Sequence, residues 1–322
     1  MARRVLLVGW AAVLGCGGPP AEVVARVNQW RLDRDRLAEL MVLAQPVPLT
    51  ADVAYELASH WVTLMALGQR AAAGDSLLDS LTIRDLMAYR VRQEVTTEWR
   101  RRLQARVPPA AAASFDSSYA QRLLEDRRAR LEPHATALLR QFATDPWQMA
   151  DATQPWATYA GGVVTTGQLQ RYVQYLSPST RGEIRGASDQ RITGFLWGFV
   201  LEELLVEQAE SAGVAISEAA FGAMAQEARD VVHNLWEHTG LAPASLASAG
   251  ASSGARAQAA RRRVDEYLEA AAARRVTLEA VPPFLAVPLL RRVEWEIAAD
   301  RMTEVVDRAR RLLAATASVP TP

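Results

Sequence analysis

A short hairpin followed by two helices occurs twice in this chain of 322 residues. The two helices of such a unit must bury their apolar faces against something, and the hairpin is what the sequence places beside them. In the first copy, Val24-Ala25-Arg26-Val27 turns through Asn28-Gln29, and Trp30 and Leu32 close the hairpin. In the second, Thr158-Tyr159-Ala160 turns through Gly161-Gly162. An amphipathic helix follows each, Arg34 to Ala44 or Thr166 to Leu176, and then a break containing Pro46 and Pro48 or Pro178. A longer, more apolar helix completes each copy, Asp52 to Arg70 or Asp189 to Ala212. Small residues end it, Ala73-Gly74-Asp75 or Ala212-Gly213-Val214. Two copies of one unit point to a duplicated binding module rather than a single catalytic cleft.

The rest of the chain reads as helix. Leu77 to Val107 carries Leu81, Leu86, Val91, Val95 and Trp99 at helical spacing, and Pro108-Pro109 ends it. Asp116-Ser117-Ser118 is expected to cap the next helix, Pro133 to break it, and His134 to Phe142 to form a short one. Beyond the second copy, Ile216 to His238 and Arg256 to Arg274 read as helices around an Ala/Ser/Gly-rich loop. Leu290, Val293 and Ile297, then Ala298, Met302, Val305, Ala309 and Leu312 step by threes and fours through one last long helix. The expected fold is therefore mainly α, a helical body with two short β-hairpins. Its expected organisation is a leader at 1–15, a tether at 16–23, a helical domain at 24–108, a connector at 109–155, the second unit at 156–215, a C-terminal helical region at 216–316 and a loose tail at 317–322.

The amino end carries an address. Arg3-Arg4 precedes an apolar run, Val5 to Leu14, that is too short to span a bilayer. Val13-Leu14-Gly15-Cys16 then has the pattern of a lipoprotein cleavage site, where a small residue precedes a sulfur nucleophile that takes up lipid. Cys16 is the single cysteine of the chain, so the processed protein has no disulfide framework. The expected location is the cell envelope, lipid-anchored through Cys16 and facing the periplasm. Gly17 in place of an acidic residue favours the outer membrane in a two-membrane bacterium. Basic and acidic residues balance at 36 each, and all the basic ones are Arg. That balance argues against a nucleic-acid partner.

Chemistry is sparse. His233 and His238 stand five apart, which sets their rings about 140° apart on a helix, whereas a zinc-binding pair needs spacing four. There is no Gly-x-Ser-x-Gly elbow, and no phosphate loop ending in Lys, because the chain has no Lys. No catalytic residue, metal or cofactor is assigned. What remains are large apolar side chains on the long helices of the two copies, Trp61 and Met65, Trp197 and Phe199. They either pack each copy against its own hairpin or line a groove for extended apolar segments of other chains.

Val24-Ala25-Arg26-Val27-Asn28, the Asp-capped helix after it and the Ala71-Ala72-Ala73-Gly74 stop resemble the amino end of SurA- and PrsA-type chaperones. Ala209-Glu210-Ser211-Ala212-Gly213-Val214 echoes the same stop. The resemblance implies a helical cradle for unfolded envelope proteins. Members of that family often carry a parvulin prolyl-isomerase module, and no strand-rich segment here has room for one. The expectation is a lipid-anchored envelope chaperone or holdase without catalysis, whose partners are unfolded envelope or outer-membrane proteins. A structural or adaptor lipoprotein docking a folded partner is the alternative, and a prolyl isomerase with an unrecognised site the third.

Overall fold

The computed structural model describes residues 22–75, 77, 79–108, 112–147 and 150–317. The leader, Cys16, most of the tether and the tail from 318 on lie outside the described residues. The fold is mainly helical, with two small three-stranded antiparallel sheets. No helix among the described residues is long and apolar enough to cross a membrane.

The chain divides into two compact units, each discontinuous in sequence. Unit 1 takes residues up to Val62, Glu266–Leu278 and Glu294 onward. It begins with β1 (Val23–Val27), β2 (Trp30–Asp33) and α1 (Arg34–Leu43), and holds the first half of α2 (Ala51–Ala72). Unit 2 comprises Thr63–Asp265 and Glu279–Val293. After the rest of α2 it contains α3 (Ser80–Gln104), α4 (Ala112–Asp126), β3 (Arg130–Leu131) and α5 (Ala135–Thr144). The second copy follows as β4 (Pro155–Tyr159), β5 (Gly162–Thr165), α6 (Thr166–Tyr175), α7 (Pro178–Gly186) and α8 (Asp189–Ser211). Then come α9 (Glu218–Thr239), α10 (Pro243–Ala247), α11 (Ser253–Ala272), whose last turns belong to unit 1, and α12 (Pro283–Leu290). Unit 1 closes with β6 (Trp295–Ile297), a 3₁₀ turn at Ala299–Arg301 and α13 (Met302–Ala317).

The two copies match residue for residue. Hairpin and first helix coincide at an offset of 132 (166 − 34), from Arg34–Leu43 to Thr166–Tyr175. Both first strands carry an irregularity at the same place, between Val23 and Ala25 and between Pro155 and Ala157. Both helices are tied back alike, Arg34 N–H to Glu22 O at 2.7 Å and Thr166 N–H to Gln154 O at 2.8 Å. The second turn is Ala160-Gly161, not Gly161-Gly162, because Tyr159 pairs with Gly162. The left-handed residue is Asn28 (φ 48°) in one turn and Gly161 (φ 105°) in the other.

The long helices match at a larger offset of 139 (213 − 74), because α7 is inserted before α8 where the first copy has only a proline-containing loop. They end in the same C-terminal motif. Gly74 (φ 84°) and Gly213 (φ 65°) are left-handed. The N–H groups of Asp75 and Val214 reach back to the carbonyls of Arg70 and Ala209. These bonds satisfy carbonyls that a helix end otherwise leaves open.

Each sheet has a third strand that hairpin patterning did not anticipate. In both, the first hairpin strand is central, in the orders β2-β1-β6 and β3-β4-β5. Ala25 pairs with Ile297 and Ala157 with Leu131. Ala298 N–H donates to Val24 O, and Glu132 N–H to Trp156 O, at 2.9 Å each. Residues 295–297 are therefore strand rather than the start of the last helix, which begins at Met302. This recruitment also draws the C-terminal segment into unit 1, where consecutive domains would have kept it separate. Asp116-Ser117-Ser118 likewise lies inside α4 instead of capping it.

In unit 1, α1 packs against α13, with Leu37, Met41, Met302, Val305 and Ala309 fully buried between sheet and helices. Arg308 pairs with Asp35 at 3.0 Å on its rim. In unit 2, Leu139, Phe142, Trp156, Leu169, Val173, Ile192, Leu196 and Val200 form one core under β4 and β5. The Trp156 indole N–H donates to Thr165 O at 3.0 Å, so the bulkiest core residue leaves no polar atom stranded.

An L side chain in the left-handed region costs about 1 kcal/mol or more. Gly213→Ala and Gly74→Ala should each lower stability by about that amount in urea denaturation, with no clash to blame, since a Cβ at either position meets nothing within 4 Å. An unchanged midpoint would mean that these helix ends do not close as described.

Candidate functional site

Four helices of unit 2 surround a cavity of about 310 Å³. Two of them offer a stripe with the same spacing, Asp85, Ala88, Tyr89 and Arg92 from α3, and Gln168, Arg171, Tyr172 and Tyr175 from α6. Positions i, i+3, i+4 and i+7 share one helix face, so each stripe faces the cavity as a whole. Pro288, Arg291 and Arg292 at the end of α12 repeat the first three steps, and Glu203 reaches in from α8.

Glu203 is the centre, with 8% of its surface exposed. The Tyr172 hydroxyl donates to it at 2.5 Å, Gln168 Nε2 at 2.9 Å, and the Arg92 guanidinium pairs with it at 2.6 Å. Gln168 is itself fixed, because its Oε1 accepts from the Thr165 N–H at 2.8 Å where α6 begins. Burial, and the carboxylates of Glu203 and Glu202, push the Tyr172 phenol far above its usual range, so it stays protonated as a donor. Tyr89 stacks on Tyr175 with ring centres 4.1 Å apart and meets Tyr172 edge-on at 6.2 Å. Tyr172 in turn stacks on Phe199 at 4.9 Å. The wall is thus a continuous run of aromatic rings carrying fixed charges.

The duplication supplies an internal control. Tyr172 and Glu203 stand where the first copy has Leu40 and Leu64, which are 3% and 0% exposed. The unit therefore folds with leucines at both positions, and burying a carboxylate is costly even when it is paired. The fold of the unit does not require the polar set at these positions.

The equivalent face of α1 also borders a groove. Arg36, Glu39 and Leu43 correspond to Gln168, Arg171 and Tyr175, and line an opening of about 520 Å³ in unit 1 with Val42, Glu269, Leu312, Ala315 and Thr316. Arg36 spans its edge, bonding Glu269 at 2.8 Å and Glu39 at 3.2 Å. Leu43 is 43% exposed, one of few large apolar side chains that are. This groove is mostly aliphatic, whereas the one in unit 2 is aromatic and cationic.

The residues singled out from sequence fall elsewhere. Trp61 and Met65 are 0% exposed and belong to the core, so they line no groove. Their equivalents at the offset of 139, Val200 and Leu204, are buried as completely, which makes packing their role in both copies. Trp197 packs half-buried at the edge of the unit 2 core, away from the cavity lining. Phe199 alone touches the site, through Tyr172. His233 and His238 pair with different acids, Glu237 at 3.1 Å and Glu279 at 3.6 Å, and no cluster able to hold a metal occurs among the described residues. A search for polar and aromatic residues at helical spacing, instead of apolar ones alone, would have found the stripes of α3 and α6.

No family model matches the chain, and neither the curated proteins nor the solved structures contain a match.

Two measurements probe the cluster. A double-mutant cycle on Tyr172→Phe and Glu203→Gln should give a coupling of about 1–2 kcal/mol in unfolding free energy, since a hydrogen bond to a charged partner is being removed. Additive losses would mean that the two side chains act separately. Next to them, burial raises the Glu202 carboxyl, and the neighbouring Glu203 adds to the shift against Arg92. The folded protein then holds that proton more tightly than the unfolded chain. Its contribution to stability is present below the unfolded value of about 4.3 and is lost as pH rises through the raised folded value. Glu202→Gln should accordingly raise the unfolding temperature at pH 7 and bring no gain near pH 4. An equal gain at both would point to packing instead.

Proposed function

We propose that this chain is a non-catalytic binding protein of the cell envelope, lipid-anchored through Cys16, that holds segments of unfolded exported polypeptides. One observation carries the reading. The same face of the same helix borders a groove in both copies of the repeat, and the two linings differ. A protein that must take up many sequences gains from one aliphatic and one aromatic, hydrogen-bonding groove. Tyr and Arg are the residue types that make adaptable polypeptide interfaces, because they combine large contact area with polar ends. The resemblance of the first hairpin and helix to the SurA- and PrsA-type amino end supports the same reading. Binding would shield apolar segments reversibly, its strength set by buried area and dissociation rate. The grooves take the place of Trp61 and Met65 as the client-binding surface.

One feature favours a second reading. Among the described residues few large apolar side chains are well exposed, Leu43, Val47, Val163 and Val276 being such, which is sparse for a surface that captures unfolded chains indiscriminately. An adaptor that docks one folded partner would need no more than that.

The purified full-length protein in mild detergent should suppress aggregation of a denatured outer-membrane protein at molar excess. Leu43→Asp and Tyr175→Ala, in separate grooves, should each weaken that effect by about 1–2 kcal/mol in apparent affinity, the range of a good interface contact. Loss of all effect in the wild-type protein, together with a stoichiometric folded partner on purification, would replace the holdase with the adaptor.

A further inference from the structure

The cavity of unit 2 holds more positive charge than its own acids answer. Four guanidiniums line it, those of Arg92, Arg171, Arg291 and Arg292, against two carboxylates, Asp85 and Glu203. Arg92 is taken by Glu203 and Arg292 by Asp85, each at 2.6 Å. Arg171 makes no ion pair among the described residues. Arg291 bonds the neutral Oε1 of Gln174 at 3.1 Å, and Gln174 is held in turn by its Nε2 donating to Pro146 O at 3.1 Å. Arg171, Arg291 and the Asp85 carboxylate all act on Tyr175, and burial together with the repulsion from Arg171 lowers the Arg291 pKa against the opposing pull of Asp85. Two like charges line one cavity, both on exposed side chains, and neither is ion-paired with a carboxylate among the described residues. Two cations facing one cavity favour an anion there.

We propose that Arg171 and Arg291 form a carboxylate-binding subsite for the free carboxy terminus of a bound polypeptide. This rests on the polypeptide-binding reading above. Guanidiniums match a carboxylate in a planar two-point contact, which a lysine could not supply. The stacked Tyr89 and Tyr175 beside the pair give a flat apolar surface for the terminal side chain. A cavity of about 310 Å³ is the size of a terminal residue or two and not of a longer extended segment. Capture of a chain end, rather than of any apolar stretch, is one of the recurring modes of peptide recognition.

The test compares three labelled peptides by fluorescence anisotropy with the full-length protein. They share a sequence ending in an apolar residue, as the free acid, as the amide, and as an amide with one internal Asp. The free acid should bind at least tenfold more tightly than either amide at low salt, and the gap should narrow as salt rises. Arg171→Gln and Arg291→Gln should each abolish most of that gap, while Arg291→Lys keeps part of it. Thermal unfolding of each variant establishes that it is folded. Equal binding of free acid and plain amide overturns the carboxylate subsite and leaves polypeptide binding standing. Binding of the internal-Asp peptide as tight as that of the free acid overturns the terminus. Absence of binding by all three overturns both readings.

Discussion

An isolated two-stranded hairpin cannot hold itself together in water, and in both copies of the repeat the first strand has an open edge that must be paired. The protein meets that need twice in the same way, by laying a short strand from a distant stretch against it. β3 arrives from just before the second copy, β6 from the far end of the chain. Once β6 is seated, α13 follows it onto α1, and the carboxy-terminal stretch becomes part of the first unit. The strand edge therefore decides which residues belong together.

Within that frame the copies diverge where the frame permits. Turns, strand irregularity, first helix and the glycine stop of the long helix are kept in register. The side chains at the cavity positions of the second copy are not. Leu40 and Leu43 of α1 and Leu64 of α2 correspond to Tyr172 and Tyr175 of α6 and Glu203 of α8. Buried leucine is enough for the fold at positions 40 and 64, so the buried carboxylate with its three donors is an addition made at an energetic cost. A duplicated unit in which one copy stays plain and the other acquires charge is a natural route to two grooves of different taste on one scaffold.

Arginine is well suited to the second groove. It stays charged through partial burial, and it can share a site with tyrosine by lying against the ring as well as by hydrogen bonding. The chain uses arginine for every one of its basic side chains. Composition explains the choice of cation, while the placement of Arg171 and Arg291 along one cavity, neither of them ion-paired among the described residues, is what turns it into a candidate recognition element.

By itself the sequence determined the helical class, the doubling of the hairpin unit and most helix positions, because these follow from local periodicity, proline breaks and glycine stops. What only the tertiary structure decided are matters of distant pairing. Trp295–Ile297 carries a helical pattern of apolar residues and becomes a strand because β1 needs a partner some 270 residues away (297 − 25 = 272). Trp61 and Met65 look like ligand-facing side chains in a helix and are sealed in the core, since a helix sequence does not say which of its neighbours covers it. The cavity draws on α3, α6, α8 and α12, and no one segment announces it. Periodicity fixes the face on which a side chain stands, and only packing fixes what that face meets.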